Sequence, residues 1–338
     1  MEAHANSSLG DAILLYQHNT AGKSCIKTQH KLIGYYMKYA FSSLPSRGKL
    51  SWPNGAKVAL IITANLEYWD LIKDTDKPYY AGGPAILPDL MPGNVPDFPN
   101  FTWREYGQRV GIWRLFNCFE KMGVPLSCTM NAKTALELPE IIDVVKKNNW
   151  ELLAHNYEQG ELLTNFAHDP DKEREVIKAT LDVYQKTMKK PALGWLSSSL
   201  RGTLNTCDII AEQGLIFYCD LMNDDQPYLV DTKQGPIVSI PYSNEINDFT
   251  LMTRRAHTNG EFVDILKCEL KELLDESQES GSGRMMNLGL HPHVSGRAYR
   301  MPAIREFLNF AKSQDGVWFA TREEVAKWYL ENHQGHIV

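Results

Sequence analysis

Long apolar runs are missing from this chain. None reaches the roughly 20 residues that a membrane-spanning helix needs, so no membrane contact is expected. Basic clusters are missing as well. Lys and Arg number 35 against 41 Asp and Glu, the net charge is −6, and no Lys/Arg run stands out, so nucleic acid is not an expected partner. Paired cysteines are absent: the six, Cys25, Cys118, Cys128, Cys207, Cys219 and Cys268, are scattered without a C-x-x-C spacing. That pattern reads as reduced, buried thiols in a cytoplasmic protein. No basic segment followed by an apolar core opens the chain, so no secretory signal is read. No Gly-rich fingerprint follows the first apolar run, which leaves nucleotide binding without support.

Residues 1–36 are rich in Ser, Asn, His and Gln and carry no period. They read either as a disordered extension or as sequence upstream of a natural start at Met37. Residues 37–338 read as a single catalytic domain. From residue 57 onward, short apolar runs bounded by turn residues alternate with amphipathic stretches. The runs are 57–69, 125–132, 150–156, 192–198, 215–222, 236–243, 285–293 and 316–321. The spacing predicts helices over 102–123, 136–148, 169–190, 206–213, 260–276, 301–313 and 321–332. Strands too apolar to have a wet face imply a parallel sheet covered on both sides. About eight of them suit an irregular (β/α) barrel of seven to eight parallel strands; an open doubly wound sheet is the other arrangement they allow. The Pro- and Gly-rich stretch 74–101 reads as a long structureless loop, either a lid or a surface excursion.

In such barrels the chemistry gathers at the C-terminal ends of the strands. Those ends carry Asn65 and Glu67, Asn131, His155, Ser197 to Ser199, Asp220 with Asn223 to Asp225, Tyr242 with Glu245, and finally His291 and His293. Any one of these is more often structural than functional, but nearly every strand delivers one. A carboxylate and two histidines at one rim form a hydrolytic acid/base set. Four aromatic residues, Tyr68, Trp69, Tyr157 and Trp195, suit a pocket that stacks on a planar ring, with Trp69 closer to an ordinary core edge.

The segments WPNGAKVALIITANLEYWD, WREYGQRVGIWRLF, LAHNYEQ, LGWLSSSLRGTLNT, YCDLMNDDQPY, SIPYSNEINDF and LHPHVSGRAYRM occur in this order. Together they resemble the allantoinase-like branch of the NodB-type polysaccharide deacetylase superfamily over about residues 39–333. The resemblance implies a (β/α) barrel that cleaves non-peptide C–N bonds in amides, N-acetyl sugars or cyclic ureides and imides. It also implies a homo-oligomer.

In that superfamily an Asp-Asp pair after the first strand supplies a base and a metal ligand. Here the pair is Glu67-Tyr68. A His-x-x-x-His pair supplies two more ligands, and here it is His155 with Gln159. A phenol and a neutral amide are poor ligands for Zn²⁺. No tightly bound metal is therefore expected; if one is bound, His155 holds it. The resemblance implies Glu67 as base and His291, in LGLHPH, as acid. His155, Asn65 or backbone N–H groups near Ser197 to Ser199 are candidate oxyanion donors. His293 reads as a supporting or exposed residue. Further substrate contacts are assigned to Tyr68, Tyr157, Gln159, Trp195, Arg201, Asp224, Asp225, Glu245 and Arg297. Arg201 reads equally as a surface ion pair, and the two aspartates as part of a turn. The leading expectation is a cytoplasmic hydrolase of a small ureide or imide. The alternatives are a metal-dependent (Zn²⁺) N-deacetylase of an acetylated sugar and a silent ligand-binding barrel.

Overall fold

The computed structural model describes residues 38–71, 85–87 and 95–337. The expected extension 1–36 and most of the loop 74–101 lie outside the described residues. The chain divides into two units, Met1–Ser43 and Leu44–Val338, and every element below belongs to the second.

Nine short apolar segments form one sheet. They are β1 (Val58–Leu66), β2 (Ser127–Met130), β3 (Glu151–Ala154), β4 (Gly194–Trp195), β5 (Phe217–Tyr218), β6 (Tyr228–Val230), β7 (Ile237–Ser239), β8 (Arg284–Leu290) and β9 (Val317–Ala320). Their order is β6-β7-β5-β4-β3-β2-β1-β8, and β9 also pairs with β1. All pairings are parallel except β6 with β7. Every residue of β1 and β8 is buried, as strands covered on both faces should be. β1 is long enough to take β9 beside Val58–Ile61 and β2 beside Thr63–Leu66 on successive stretches.

The sheet curls into a half-barrel. Its two edges meet near the rim, where Asn247 bridges Gly289 and the Asn287 amide donates to the Pro241 carbonyl at 2.6 Å. The (β/α) barrel expected from sequence is the fold observed. One strand was not anticipated: β6, only three residues long, runs antiparallel on the outer edge.

Helices cover the sheet: α1 (Phe98–Tyr106), α2 (Ile112–Met122), α3 (Ala132–Glu137), α4 (Pro139–Lys147), α5 (Pro170–Met188), α6 (Thr206–Glu212), α7 (Asn259–Ser280), α8 (Pro292–Ser295), α9 (Met301–Lys312) and α10 (Arg322–Asn332). α1 begins earlier than expected because the Asp97 carboxylate accepts from the Asn100 amide, an N-cap that takes the end of the loop reading, 98–101, into the helix. Between α1 and α2, Gly107–Gly111 forms a π-helical turn. A second π-helical turn, Phe249–Arg254, follows Asp248. Such turns insert a residue into the helical ladder and often stand at functional sites.

Candidate active site

β1 ends at Leu66, and the next residue, Glu67, has a side chain only 9% exposed. Burial pushes its carboxyl above the usual carboxylate range, against the pull of the His291 charge, the Trp69 hydrogen bond and Arg104. Its two oxygens are held separately. Oε1 accepts from the Gln159 amide at 3.0 Å and Oε2 from the Trp69 indole N–H at 3.2 Å. The Gln108 side chain donates to its main-chain carbonyl at 2.6 Å. Arg104 lies over the Trp69 ring, 4.7 Å from its centroid.

β8 delivers His291 beside it. His291 Nε2 stands 3.6 Å from Glu67 Oε1, and Nδ1–H donates to Asp248 Oδ1 at 2.7 Å. The other oxygen of Asp248 accepts from the His291 main-chain N–H at 2.7 Å and the Ser295 hydroxyl at 2.5 Å. Asp248 is fully buried, so this carboxylate fixes both the tautomer and the orientation of the ring. Burial alone would lower the His291 pKa; Asp248 and Glu67 outweigh it, and the net direction is upward. The result is an imidazole biased toward its protonated form, 3.6 Å from a carboxyl group whose burial favours the neutral form.

His155 has a different character. Its Nδ1 lies 2.6 Å from the Leu196 carbonyl, which can only accept, so Nδ1 carries the proton and Nε2 a lone pair. Burial pushes its pKa down to about 4, so the ring is neutral at pH 7. Gln159 is near enough to bias that charge but outside hydrogen-bonding geometry with Nε2. His155 therefore cannot donate to an oxyanion as expected from sequence.

The superfamily's metal does not fit these residues. The Nε2 lone pair of His155 would serve as one ligand. However, Gln159 Oε1 already accepts from the Ser198 hydroxyl at 3.0 Å, and its amide nitrogen serves Glu67. Tyr68 turns toward Lys133, whose ammonium lies 5.6 Å from the ring centroid. Among the described residues no three His, Cys, Asp or Glu converge as a metal site.

A cavity of about 300 Å³ opens over Glu67 and His291. Of the residues named from sequence, Asn65, Glu67, Trp69, His155, Ser197, Ser199, Arg201, Tyr242 and His291 line it. Asn65 is committed to its neighbours: its amide donates to the Leu290 carbonyl at 3.2 Å and its oxygen accepts from Thr129 at 3.3 Å. The others are placed elsewhere. Trp195 is fully buried, its indole on the Ser197 hydroxyl at 2.9 Å. Tyr157, like Tyr68, is not among the lining residues, and its carbonyl accepts from the Lys133 N–H. Gln159 braces Glu67 rather than facing the cavity. Asp224 is gripped by Arg47 through both oxygens, at 2.7 and 2.6 Å, and the Asp225 carbonyl pairs with Met285 near the start of β8. Both lie at the end of the sheet away from the rim. Glu245, 74% exposed, pairs with Arg255 on the surface. Arg297 lies 3.6 Å over the Tyr106 ring and donates to the His293 carbonyl, bracing α8 against α1. His293 is buried, not exposed, with its ring edge-on to Trp103 at 4.6 Å.

Three contributors escaped the sequence reading: Asp248 in its role on His291, Trp69 in its role on Glu67, and Gln108. Asp248 did leave a signal. It is the last acid of SNEIND before the apolar FTLM, a place where a carboxylate enters the core rather than water.

Comparisons with known proteins support the fold. No protein-family model matches the chain. A Schizosaccharomyces pombe protein described as "Putative polysaccharide deacetylase" is 26% identical over 307 residues, 83% of this chain and 93% of that protein. A "probable Polysaccharide deacetylase" from Pseudomonas aeruginosa PAO1, of known structure, is 27% identical, with a TM-score of 0.75 over 83% of this chain and 94% of that one. The PuuE allantoinase structure shares the fold, with a TM-score of 0.76 over 88% of this chain and 97% of its own, at 24% identity. The fold and the carboxylate–imidazole centre define a deacetylase-like (β/α) barrel. The resemblance to polysaccharide deacetylases read from the motifs is met by the first two of these relatives, and the PuuE structure shares the fold.

Proposed function

We propose that the chain hydrolyses a non-peptide C–N bond, linear or cyclic, in a small nitrogen-rich molecule such as a ureide or cyclic imide, without a tightly bound metal. The observation that carries the reading is Glu67 Oε1 facing His291 Nε2 at 3.6 Å, with Asp248 behind the ring. The deacetylase descriptions of the two relatives above one-quarter identity support the bond type.

Ionised Glu67 takes a proton from water, whose oxygen bonds to the carbonyl carbon while the C=O π pair moves to oxygen. The oxyanion pair then re-forms the C=O bond as the C–N bond breaks, and the electron pair leaving with nitrogen takes the His291 Nε2 proton. A linear amide gives a carboxylic acid and an amine, a ring gives one opened chain bearing the new carboxyl and the freed nitrogen, and the proton gained by Glu67 returns to His291 through solvent. The oxyanion needs a fixed donor. In the turn after β4, the Ser197 N–H is committed to Asp220 and the Ser198 N–H to Asn156. Ser199 N–H, at the cavity wall and with φ of 56°, is the donor we assign.

A panel of hydantoin, 5,6-dihydrouracil, succinimide and N-acetylglucosamine, assayed with and without chelator, tests this. Ring opening should survive chelation and fall by about 10²–10⁴-fold in Glu67→Gln. The relatives' descriptions favour a second reading, N-deacetylation of a sugar. Deacetylation of N-acetylglucosamine that is lost to chelator and restored by Zn²⁺ would replace the first reading with it. Among the described residues no helix is long and apolar enough to cross a membrane. We propose a cytoplasmic homo-oligomer, a state that sedimentation of the purified chain reads directly.

A further inference from the structure

Two arginines line the cavity and are unaccounted for by the hydrolytic step. Arg254 closes the π-helical turn that begins beside Asp248. Its guanidinium lies 4.9 Å from the centroid of Phe249, whose ring is 6.0 Å from that of His291. The π turn thus sets Asp248, Phe249 and Arg254 in one stack around the acid. The neighbouring Arg255 is neutralised by Glu245 at 2.6 Å, outside the cavity. Arg254 has no carboxylate within ion-pair distance among the described residues.

Arg201 enters from the loop after β4 and likewise pairs with no carboxylate among the described residues. The loop reaches the cavity through two successive left-handed residues, Ser199 (φ 56°) and Leu200 (φ 58°). A left-handed leucine is strained, and such strain gathers where a side chain must be aimed. The carboxylates nearby are already engaged: Glu67 by Gln159 and Trp69, Asp248 by His291 and Ser295. A chain of net charge −6 therefore keeps two unneutralised cations at one cavity. Planar guanidinium forks match carboxylates, and such a pocket raises the local concentration of anions.

We propose, taking the C–N hydrolysis above as given, that the substrate carries a carboxylate on the side away from the bond that is cut, held by Arg254 with Arg201. A neutral ureide leaves both cations without a partner. A carboxylated one fills the cavity's charge requirement and is oriented by it.

Matched pairs read this directly: 5,6-dihydrouracil against its 6-carboxylate, and hydantoin against hydantoin-5-acetate. In the wild type, kcat/KM should favour the carboxylated member by at least about tenfold. Arg254→Gln should raise KM for that member by about 10–100-fold, the range for losing one charged hydrogen bond, with kcat within a few-fold and the neutral member unaffected. Equal turnover of both members, or an equal effect of Arg254→Gln on both, would overturn the proposal. Should no pair be turned over, the hydrolytic reading fails, and calorimetry still judges the anion site. N-carbamoyl-aspartate should bind more tightly than N-carbamoyl-β-alanine in a salt-sensitive way that Arg254→Gln removes. No difference between the two acids refutes it. Arg254 is exposed, so melting curves of the variant should match the wild type.

Discussion

Asp248 decides what His291 can do. A lone imidazole this deep would shed its proton; with a carboxylate at 2.7 Å it keeps it. Asp248→Asn should therefore lower kcat by about 10²–10⁴-fold, as loss of the proton-donating group would. It should also move the alkaline limb of the pH profile to lower pH. A variant that loses activity with an unmoved alkaline limb would show Asp248 to be merely structural. The wild-type profile should be a bell. Activity is lost as pH falls through the Glu67 transition, which burial sets above the ordinary carboxylate range. It is lost again as pH rises through the His291 transition, set above the ordinary imidazole value. The two groups stand 3.6 Å apart, so the apparent values belong to the pair. At this scale the sequence was legible wherever a polar residue ends an apolar strand: Glu67, His155 and His291 were visible. Arg254 was not, because a π turn places it and no side-chain period announces a π turn; nor was the hold of Asp248, at the start of that turn, on His291.

At the scale of elements, the site depends on how closely α8 approaches the helix opposite it. α8 follows His291 directly and rests on the Gly107–Gly111 turn. A Cβ at Gly107 would stand 2.6 Å from the His293 nitrogen, and one at Gly111 only 2.0 Å from the Pro292 carbonyl. Both neighbours are backbone and cannot rotate away. Gly111→Ala should cost about 1–3 kcal/mol, the range for overpacking, and should lower activity by displacing His291. Denaturant melts and kinetics on one preparation check this; full stability with full activity would show that α8 is not fixed from this side. Strands were the elements best legible in the sequence, since eight of nine stand out as apolar runs. β6 did not: three residues on an outer edge leave no pattern to count. Trp195, Asp224 and Asp225 were misplaced for a related reason. Strand-end position was read as rim position, but β4 is two residues long, and the chain after β5 descends along β8 instead of staying at the rim.

At the scale of the barrel, the end opposite the site carries a buried polar seam beside the apolar cluster of Leu50, Trp52 and Tyr329. His336, near the C-terminus, accepts from the Tyr329 hydroxyl at Nδ1 (2.9 Å) and donates from Nε2 to Gln226 Oε1 at 3.0 Å. Gln226 donates in turn to Ser282 and Gly283, at 3.1 and 2.7 Å, just before β8. Arg47 binds the same Gln226 oxygen at 3.1 Å while gripping Asp224. Both ring nitrogens of His336 are satisfied when the ring is neutral. Burial, then the Arg47 charge, pushes the His336 pKa down to about 4. The unfolded chain has an ordinary imidazole near 6.5, so between these values the unfolded state binds the extra proton. The stability that His336 contributes is thus present above about pH 6.5 and is lost as pH falls toward 4. Its size is about 1–2 kcal/mol once solvent screening is allowed for. His336→Gln, which cannot titrate, isolates it from the buried carboxylates whose raised pKa values act in the opposite sense. The gap in Tm between wild type and this variant should be widest near pH 7.5 and shrink steadily toward pH 4.5. A gap that stays constant over that range would mean that the seam holds the chain end without coupling it to protonation.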